Sequence, residues 1–494
     1  MANDPLSLDE AGEWAGLWWL PDDPDERIPG ILRYDAEEGL SLSLIGAFED
    51  RIMSKPAPGM TVFQEGTRTW KVIHGAAEQR EVTLLDCVPT GGKRTMFARV
   101  KSPDKQTVIA SIAIIGAHLK GEEDAAFSAA EISVEDLGYW AASSVFEGFH
   151  GAPDGRLDGT GQISVKPVDA QSVVVDGTEY RLVHTYTLPS LDQRKGETVG
   201  RMTDKVSVRV APSEPLSLSA ALKAASLIQD LIALATHCAA GVIWLRLEVA
   251  GTESALPDGK SLPPRRADVL YSPAALGKHD AKAVDHRRLF FTCDSLPFEE
   301  VLPRWCEAHG RLQAATNMIL GLRYAPALFV ENNLLTAVGA AEVLHRGLRI
   351  DEKPFPKAEF TTMREAMLAQ VPDEYRDKFK GAIRNDPTLR DRLHALVERP
   401  DREAIAFLVP DVDYWARRTT WARNDLTHEG RTSNHSFEEL LAVVEVTTAV
   451  VILNLLHELG LPAERQREIV QQHPQLRATS RTAREWLMAP GFDS

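Results

Sequence analysis

Ser436-Phe-Glu-Glu-Leu440-Leu-Ala-Val-Val-Glu445-Val-Thr-Thr-Ala-Val450-Val-Ile-Leu-Asn454-Leu-Leu-His-Glu-Leu-Gly460 decides how the C-terminal half of the chain is built. Ser436-Phe-Glu-Glu439 has the capping-box pattern, in which a serine hydroxyl takes the amide three residues on and the glutamate reaches back. Leu440, Val444, Val451 and Leu455 then continue one helical stripe, and Gly460 followed by Pro462 ends the helix. The apolar run 440–456 is short of the ~20 residues a membrane span needs. It holds Glu445, and Asn454 and His457 follow. The expectation is a buried core helix. From about residue 297 onward the chain reads almost wholly helical, with Leu334, Leu335, Val338 and Ala341 assigned to one helix face.

Immediately upstream lies Arg423-Asn-Asp-Leu-Thr-His428, with Gly430 two residues past the histidine to end that helix. An arginine and a histidine suffice to cut RNA without a metal. A base removes the 2′-hydroxyl proton, an acid protonates the leaving oxygen, and histidine, with a pKa near neutrality, serves either role. A guanidinium clamps the phosphate oxygens and stabilises the developing charge. Spacing alone decides little, because Arg68/His74, Arg304/His309 and Arg467/His473 are similarly spaced in a chain with 14 histidines. Context favours Arg423/His428: a polar Asn424 beside the arginine, a helix end, and the capped apolar helix that follows. On an ideal helix the two side chains lie about 140° apart, so they meet only if the helix frays near Gly430 or the arginine bends across.

The first two hundred residues read as mainly β. Leu40, Leu42 and Leu44 alternate with serines, and Ile31–Tyr34 can pair with them across the Asp35–Gly39 turn. Glu81–Leu85 and Val108–Ile115 are further strand candidates. Val173–Val175, Asp176-Gly177 and Tyr180–Val183 form a hairpin signal, since Asp-Gly tolerates the positive φ of a type I′ turn. Lys205–Val210 alternates again. A proline-rich break at Ala211–Pro215 precedes a helix from Ser219 to His237. Many short strands with turn punctuation point to a sandwich or barrel. The tryptophans Trp14, Trp18 and Trp19 are assigned to this domain's core or to a partner surface rather than to base stacking.

Composition sets the class. Hydrophobic residues make up 44% and charged residues 26%, as in ordinary globular proteins. A net charge of −16 argues against non-specific coating of nucleic acid but leaves room for one local basic site, for which Arg477, Arg481 and Arg484 are candidates beside the default of a solvated helix. Cys87, Cys238, Cys293 and Cys306 form no CxxC pair, so neither a zinc knuckle nor a redox motif is written, and scattered thiols fit a reducing cytoplasm. The acidic start predicts no signal peptide. Pro89–Thr95 lacks the first glycine and the Ser or Thr of a phosphate loop and reads as a hairpin loop. His428-Glu429 and His457-Glu458 lack a second histidine at zincin spacing. No metal and no cofactor is expected.

Arg423-Asn-Asp-Leu-Thr-His428 resembles the R-x4-6-H motif of HEPN ribonucleases. Leu334–Arg346 resembles the first long helix of that domain, and Leu389–Leu396 a helix between the two. Trp18–Pro21, Ile28–Leu32, Ile73-His-Gly75 with Val82–Cys87, and Phe127–Trp140 resemble the N-terminal domain of ApeA-type abortive-infection proteins. The resemblance implies an α+β multidomain chain: a β-rich, sandwich-like sensor domain over 1–290, helical towards its end, and an all-α HEPN ribonuclease domain over 291–494. It implies Arg423 and His428 as catalytic residues, supported by Asn424 and Glu342, in a homodimer formed through the HEPN domain. Host RNA, transfer RNA or another structured RNA, would be the substrate and a phage protein the trigger, in the bacterial cytoplasm and away from membranes. The competing reading is a HEPN domain that only dimerises. Glu342 reads either as a surface i,i+4 partner of Arg346 or as the group that orients a motif residue; Asn424 either holds the helix end or touches phosphate; His345 reads as a packing or capping histidine.

Overall fold

Asp176-Gly177 turns as its residue types require. Both have positive φ, 47° and 77°, and Val175 pairs with Thr178 across them. The computed structural model describes residues 4–489 other than 50, 58–59, 94–101, 152–155, 158, 256–260, 279, 351–352 and 433. It separates into two units, Met1–Val284 with Phe291–Pro303, and Asp285–Phe290 with Arg304–Ser494.

The first unit is a thirteen-stranded antiparallel sheet. Six strands close on themselves: β1 (Gly12–Leu20), β2 (Asp23–Asp35), β3 (Gly39–Ile45), β4 (Trp70–Ala77), β5 (Arg80–Lys93) and β6 (Lys105–Ala110). Their order is β5-β4-β1-β2-β3-β6, with β6 returning to β5. Closure is possible because β5 is long enough to serve two neighbours on one edge. Its first half pairs with β7 (Ile112–Ile115), Val82 opposite Ile115, and its second half pairs with β6, Lys93 opposite Lys105. Leu40, Leu42 and Leu44 point into the barrel with Trp18, Leu32, Tyr34 and Leu84, while Ser41 and Ser43 do not, so the alternation sorts the two faces. Trp14, Trp18 and Trp19 are buried, as the core assignment expected.

Two expectations change here. Val108–Ile115 is two strands that part at Ser111, because its two ends take different partners. Pro89–Lys93 is strand rather than hairpin loop, and Arg94 and Thr95 lie outside the described residues.

Beyond β7 the sheet continues through β13 (Arg266–Tyr271), β12 (Val242–Val249), β8 (Phe127–Val134), β11 (Asp204–Pro212), β10 (Thr178–Tyr186) and β9 (Ser172–Val175). Helix α1 (Leu218–Thr236), capped by the Ser217 hydroxyl, packs on β8 and β12. A charged row crosses the sheet in register: Arg209, Glu131, Arg246 and Asp268. Arg246 and Asp268 are 4% and 3% exposed and pair at 2.7 Å, so each charge is compensated where water cannot do it.

The second unit is helical. Its elements are α2 (Phe298–Tyr324) from Arg304 onward, α3 (Val330–Gly347), α4 (Lys357–Ala369), α5 (Asp373–Ala382), α6 (Leu389–Val397), α7 (Arg402–Leu408), α8 (Val412–Glu429), α9 (Phe437–Glu458), α10 (Ala463–Gln472) and α11 (Pro474–Trp486). The apolar segment read from sequence is α9. Sixteen of its 22 residues are buried, under α3, α6, α7, α8 and α11, which makes it the core of this unit. Its buried Asn454 ties the helix to a neighbour: Nδ2 donates to the Leu396 and Val450 carbonyls. On α3, Leu334, Val338 and Ala341 are buried as expected, but Leu335 is exposed; Ala337, Leu344 and His345 complete the inward stripe instead.

Candidate functional site

Helix α8 starts where Asp411 accepts the Tyr414 amide and ends at Gly430, whose φ of 69° is the left-handed C-cap that glycine allows. Trp415, Ala416, Thr419 and Ala422 are its buried stripe. At about 100° per residue, Arg423 falls on the flank of that stripe and His428 roughly opposite it. The chain stays helical through Glu429, so fraying does not bring the two side chains together.

Their surroundings differ accordingly. Arg423 is half-buried and reaches α3, where Nη2 lies 3.2 Å from Glu342 Oε1, while Nη1 donates to Asn424 Oδ1 at 3.3 Å. Glu342, 17% exposed, is shared, because Arg346 Nη2 approaches its other oxygen at 3.4 Å. Glu342 thus contacts both its i,i+4 neighbour Arg346 and the motif residue Arg423. Asn424 acts here as a partner of the arginine. His428 sits exposed in the last turn and, among the described residues, makes no hydrogen bond or ion pair.

The loop joining α8 to α9 is tied down by residues that spacing did not single out. Arg418 grips both carboxylate oxygens of Glu439 and donates from Nη2 to the Asn434 carbonyl at 2.9 Å. Asp425, inside the motif, accepts from Asn434 Nδ2 at 3.2 Å. The capping box is thus half made. Ser436 Oγ accepts the Glu439 amide, but the Glu439 carboxylate goes to Arg418. The signal was present in the sequence as the glutamate; its partner is 21 residues upstream and on another helix. His435, in the same loop, has a buried ring whose pKa is held down first by burial and then by Arg418.

In the other three arginine–histidine spacings the histidines, and two of the arginines, make structural contacts. Arg304 Nη1 donates to the Leu459 carbonyl, and His309 lies against Trp305. Arg467 pairs with Asp401, whereas His473 caps α11, accepting the Leu476 amide and donating to the Arg288 carbonyl. Arg68 is exposed, and His74 donates Nε2–H to the Leu119 carbonyl at 2.8 Å.

In the β unit, histidines distant in sequence come together. His74 and His118 stack, 4.5 Å between ring centres, and His118 donates to the Gly75 carbonyl. His184 stands between Asp204 and Ser143. Nδ1 donates to the Asp204 carboxylate at 3.0 Å, which leaves Nε2 to accept from the Ser143 hydroxyl at 3.1 Å. That chain has the connectivity of an activated serine. A cavity of about 680 Å³ adjoins it, lined by Asp204 and Lys205 among others, but neither Ser143 nor His184 lines that cavity. The chain pins the segment after Trp140 to β10 and β11, assisted by the Val145 amide on Asp204.

Among the described residues, no three His, Cys, Asp or Glu side chains gather as metal ligands. The four cysteines are free; burial pushes the Cys87 and Cys293 thiols up to about 12.

Comparison with known sequences places this geometry. Residues 13–305 match the family described as ApeA N-terminal domain 1. Residues 335–465, which hold Glu342, Arg423, Asn424 and His428, match the family described as Apea-like HEPN. No curated protein and no solved structure matches the chain. The first match alone spans more than half of the sequence. The chain therefore belongs to the ApeA-like abortive-infection proteins, with an ApeA N-terminal domain followed by a C-terminal HEPN domain.

Proposed function

We propose that the HEPN domain is a metal-independent endoribonuclease that cuts host RNA, transfer RNA or another structured RNA, during phage infection. His428 moves the proton of the attacking 2′-hydroxyl or of the leaving oxygen, and Arg423 holds the phosphate as its charge grows. Asn424 and Glu342 set the arginine's position. The observation that carries this reading is the division of labour on α8: Arg423 is oriented by a carboxylate from α3, while His428 is exposed on the last turn with its ring uncommitted. The metal-independent chemistry rests on what the pair itself supplies, a guanidinium and an imidazole, with the nearby carboxylates of Glu342 and Asp425 engaged by Arg423 with Arg346 and by Asn434.

Because the two motif side chains of one helix diverge, the working site is assigned to a homodimer in which two copies of α8 face each other. Leu335, Trp421, Phe437 and Leu441 are large, exposed and apolar on α3, α8 and α9, the elements that carry the motif. The N-terminal domain is assigned the sensor role, with a phage protein as trigger. Sensing requires that the trigger bind the active state better than the resting one, since equal affinity moves no equilibrium.

A second reading has one observation in its favour: Arg423 is already engaged within its own protomer, by Glu342 and Asn424, as expected of a HEPN domain that only dimerises. One experiment separates the two. Triggered full-length protein is incubated with transfer RNA in EDTA and the new ends are identified. The ribonuclease reading expects cuts ending in 2′,3′-cyclic phosphate or the derived 3′-phosphate, absent with His428→Ala. Cleavage restored only by added divalent metal overturns the mechanism, and no cleavage under any condition favours the dimerisation module.

A further inference from the structure

Helix α11 is strongly two-faced. Leu476, Thr479, Ser480 and Ala483 are buried, and Arg477, Arg481 and Arg484 stand on the exposed side. Four residues separate the first two arginines and three the last two, so all three share one face with about 4.5–6 Å of rise between them. Together with Arg287, Phe407, Gln472 and Pro474 they line a groove of about 510 Å³. None of its lining residues is acidic, on a chain whose net charge is −16.

The four guanidiniums are not equivalent. Arg287 is held at 2.7 Å by Asp285. Arg484 is fixed by Ser480, donating from Nη1 to its carbonyl at 3.2 Å, and lies over the half-buried Phe407 ring, 5.1 Å from its centre. Arg477 and Arg481 make no side-chain hydrogen bond or ion pair among the described residues. Two uncommitted, permanently charged forks thus project beside a pre-formed arginine–aromatic platform. Guanidinium forks match phosphate oxygens, and an aromatic face with a stacked arginine accepts an unpaired base of any identity. A solvated helix surface accounts for exposed arginines, but not for their collection in one carboxylate-free concavity against an aromatic ring.

We infer that this groove binds single-stranded RNA: Arg477 and Arg481 take neighbouring phosphates, and the Arg484–Phe407 platform receives a base. The inference rests on the ribonuclease reading for its choice of RNA. It adds a binding site apart from Arg423 and His428, on a helix beyond the segment matched to the HEPN family. Such a site holds a substrate strand to the protein without reading its sequence, since phosphate contacts position and do not specify.

The test measures binding apart from cutting. Full-length chain carrying His428→Ala is titrated into a short, unstructured, fluorescent RNA, and anisotropy is followed across a salt series. Adding Arg477→Glu with Arg481→Glu is expected to weaken binding roughly tenfold or more near 0.1 M salt and to flatten the slope of log affinity against log salt by about 1.4, at ~0.7 per phosphate contact on a single strand. Lys357→Glu with Lys378→Glu makes the same charge change at exposed positions elsewhere in the helical unit; it is expected to leave both quantities unchanged. Unchanged binding in the arginine variant, an equal loss in the lysine control, or an absence of RNA binding in the parent each overturns the inference. Arg477→Gln with Arg481→Gln is read the same way if charge reversal disturbs folding. Cleavage by the wild type is scored separately. RNA bound through the groove but never cut sinks the ribonuclease reading and leaves the groove standing; RNA cut normally with binding indifferent to both arginines sinks the groove alone.

Discussion

In the β unit, His74 and His118 stack and each gives a proton to a backbone carbonyl, and His184 is threaded between a carboxylate and a serine. In the helical unit, His428 stands exposed in the last turn of α8, among the described residues without a partner, while its companion arginine is clamped from a neighbouring helix. The contrast separates two uses of one residue type. A histidine whose ring is bonded to backbone carbonyls or to neighbouring side chains stitches structure together. An exposed histidine at a helix end keeps its ring nitrogens open to a reacting group.

Removing either motif side chain is the most severe change in the helical unit. Arg423→Ala and His428→Ala are each expected to lower RNA cleavage by roughly 10²–10⁴-fold with unfolding midpoints little changed, the size of effect typical of a lost acid–base or charge-stabilising group. Full activity in both single variants ends the assignment. Loss of cleavage without loss of stability in an Arg304→Ala/His309→Ala chain shows that the wrong pair was chosen.

The β unit is expected to answer in stability rather than activity. Asp268→Ala leaves the Arg246 guanidinium buried without its closest carboxylate. Removing one member of a buried pair costs about 3–5 kcal/mol, measurable by urea unfolding. A loss below about 1 kcal/mol would show that the charged row is better solvated than its burial indicates.

His473 makes the comparison pH-dependent. Burial first, and then Arg288 and Arg323, hold its pKa down to about 4, against an ordinary value near 6.5. The folded state therefore binds fewer protons than the unfolded one. Stability is complete above about pH 6.5 and falls as the pH drops towards 4, by roughly 3 kcal/mol in total. His473→Asn keeps a side chain able to cap α11 and removes the titration. It is expected to flatten the acid limb of the stability curve, and an unchanged limb would place the titrating group elsewhere.

The smallest expected effect is at Ser143. If the Ser143–His184–Asp204 chain only ties a segment to the sheet, a serine-directed fluorophosphonate adds no mass at Ser143 in the intact protein. A covalent adduct there that disappears with His184→Ala would place a second reactive centre in the β unit.

Several features follow from residue order alone. The Asp176-Gly177 hairpin, the Leu40–Leu44 alternation, the caps at Ser436 and Gly430 and the identity of α9 as a core helix depend on contacts a few residues apart, and such contacts are written in local pattern. The Arg423/His428 pair is singled out by its context and by the family resemblance rather than by spacing, and its divergence on one helix follows from the helical repeat. What sequence pattern could not supply is every pairing made across long separations. That β5 joins two strands on one edge and so closes a barrel depends on partners up to 33 residues away, as Val82 is from Ile115. That Glu342 holds Arg423, and that Glu439 abandons its own cap for Arg418, depends on which helices pack together. So does the gathering of Arg287 and Phe407 with the arginines of α11. Local periodicity says which face of an element is apolar, but many partners can bury the same face; only the packed fold selects one, and with it the polar atoms that end within a hydrogen bond of each other.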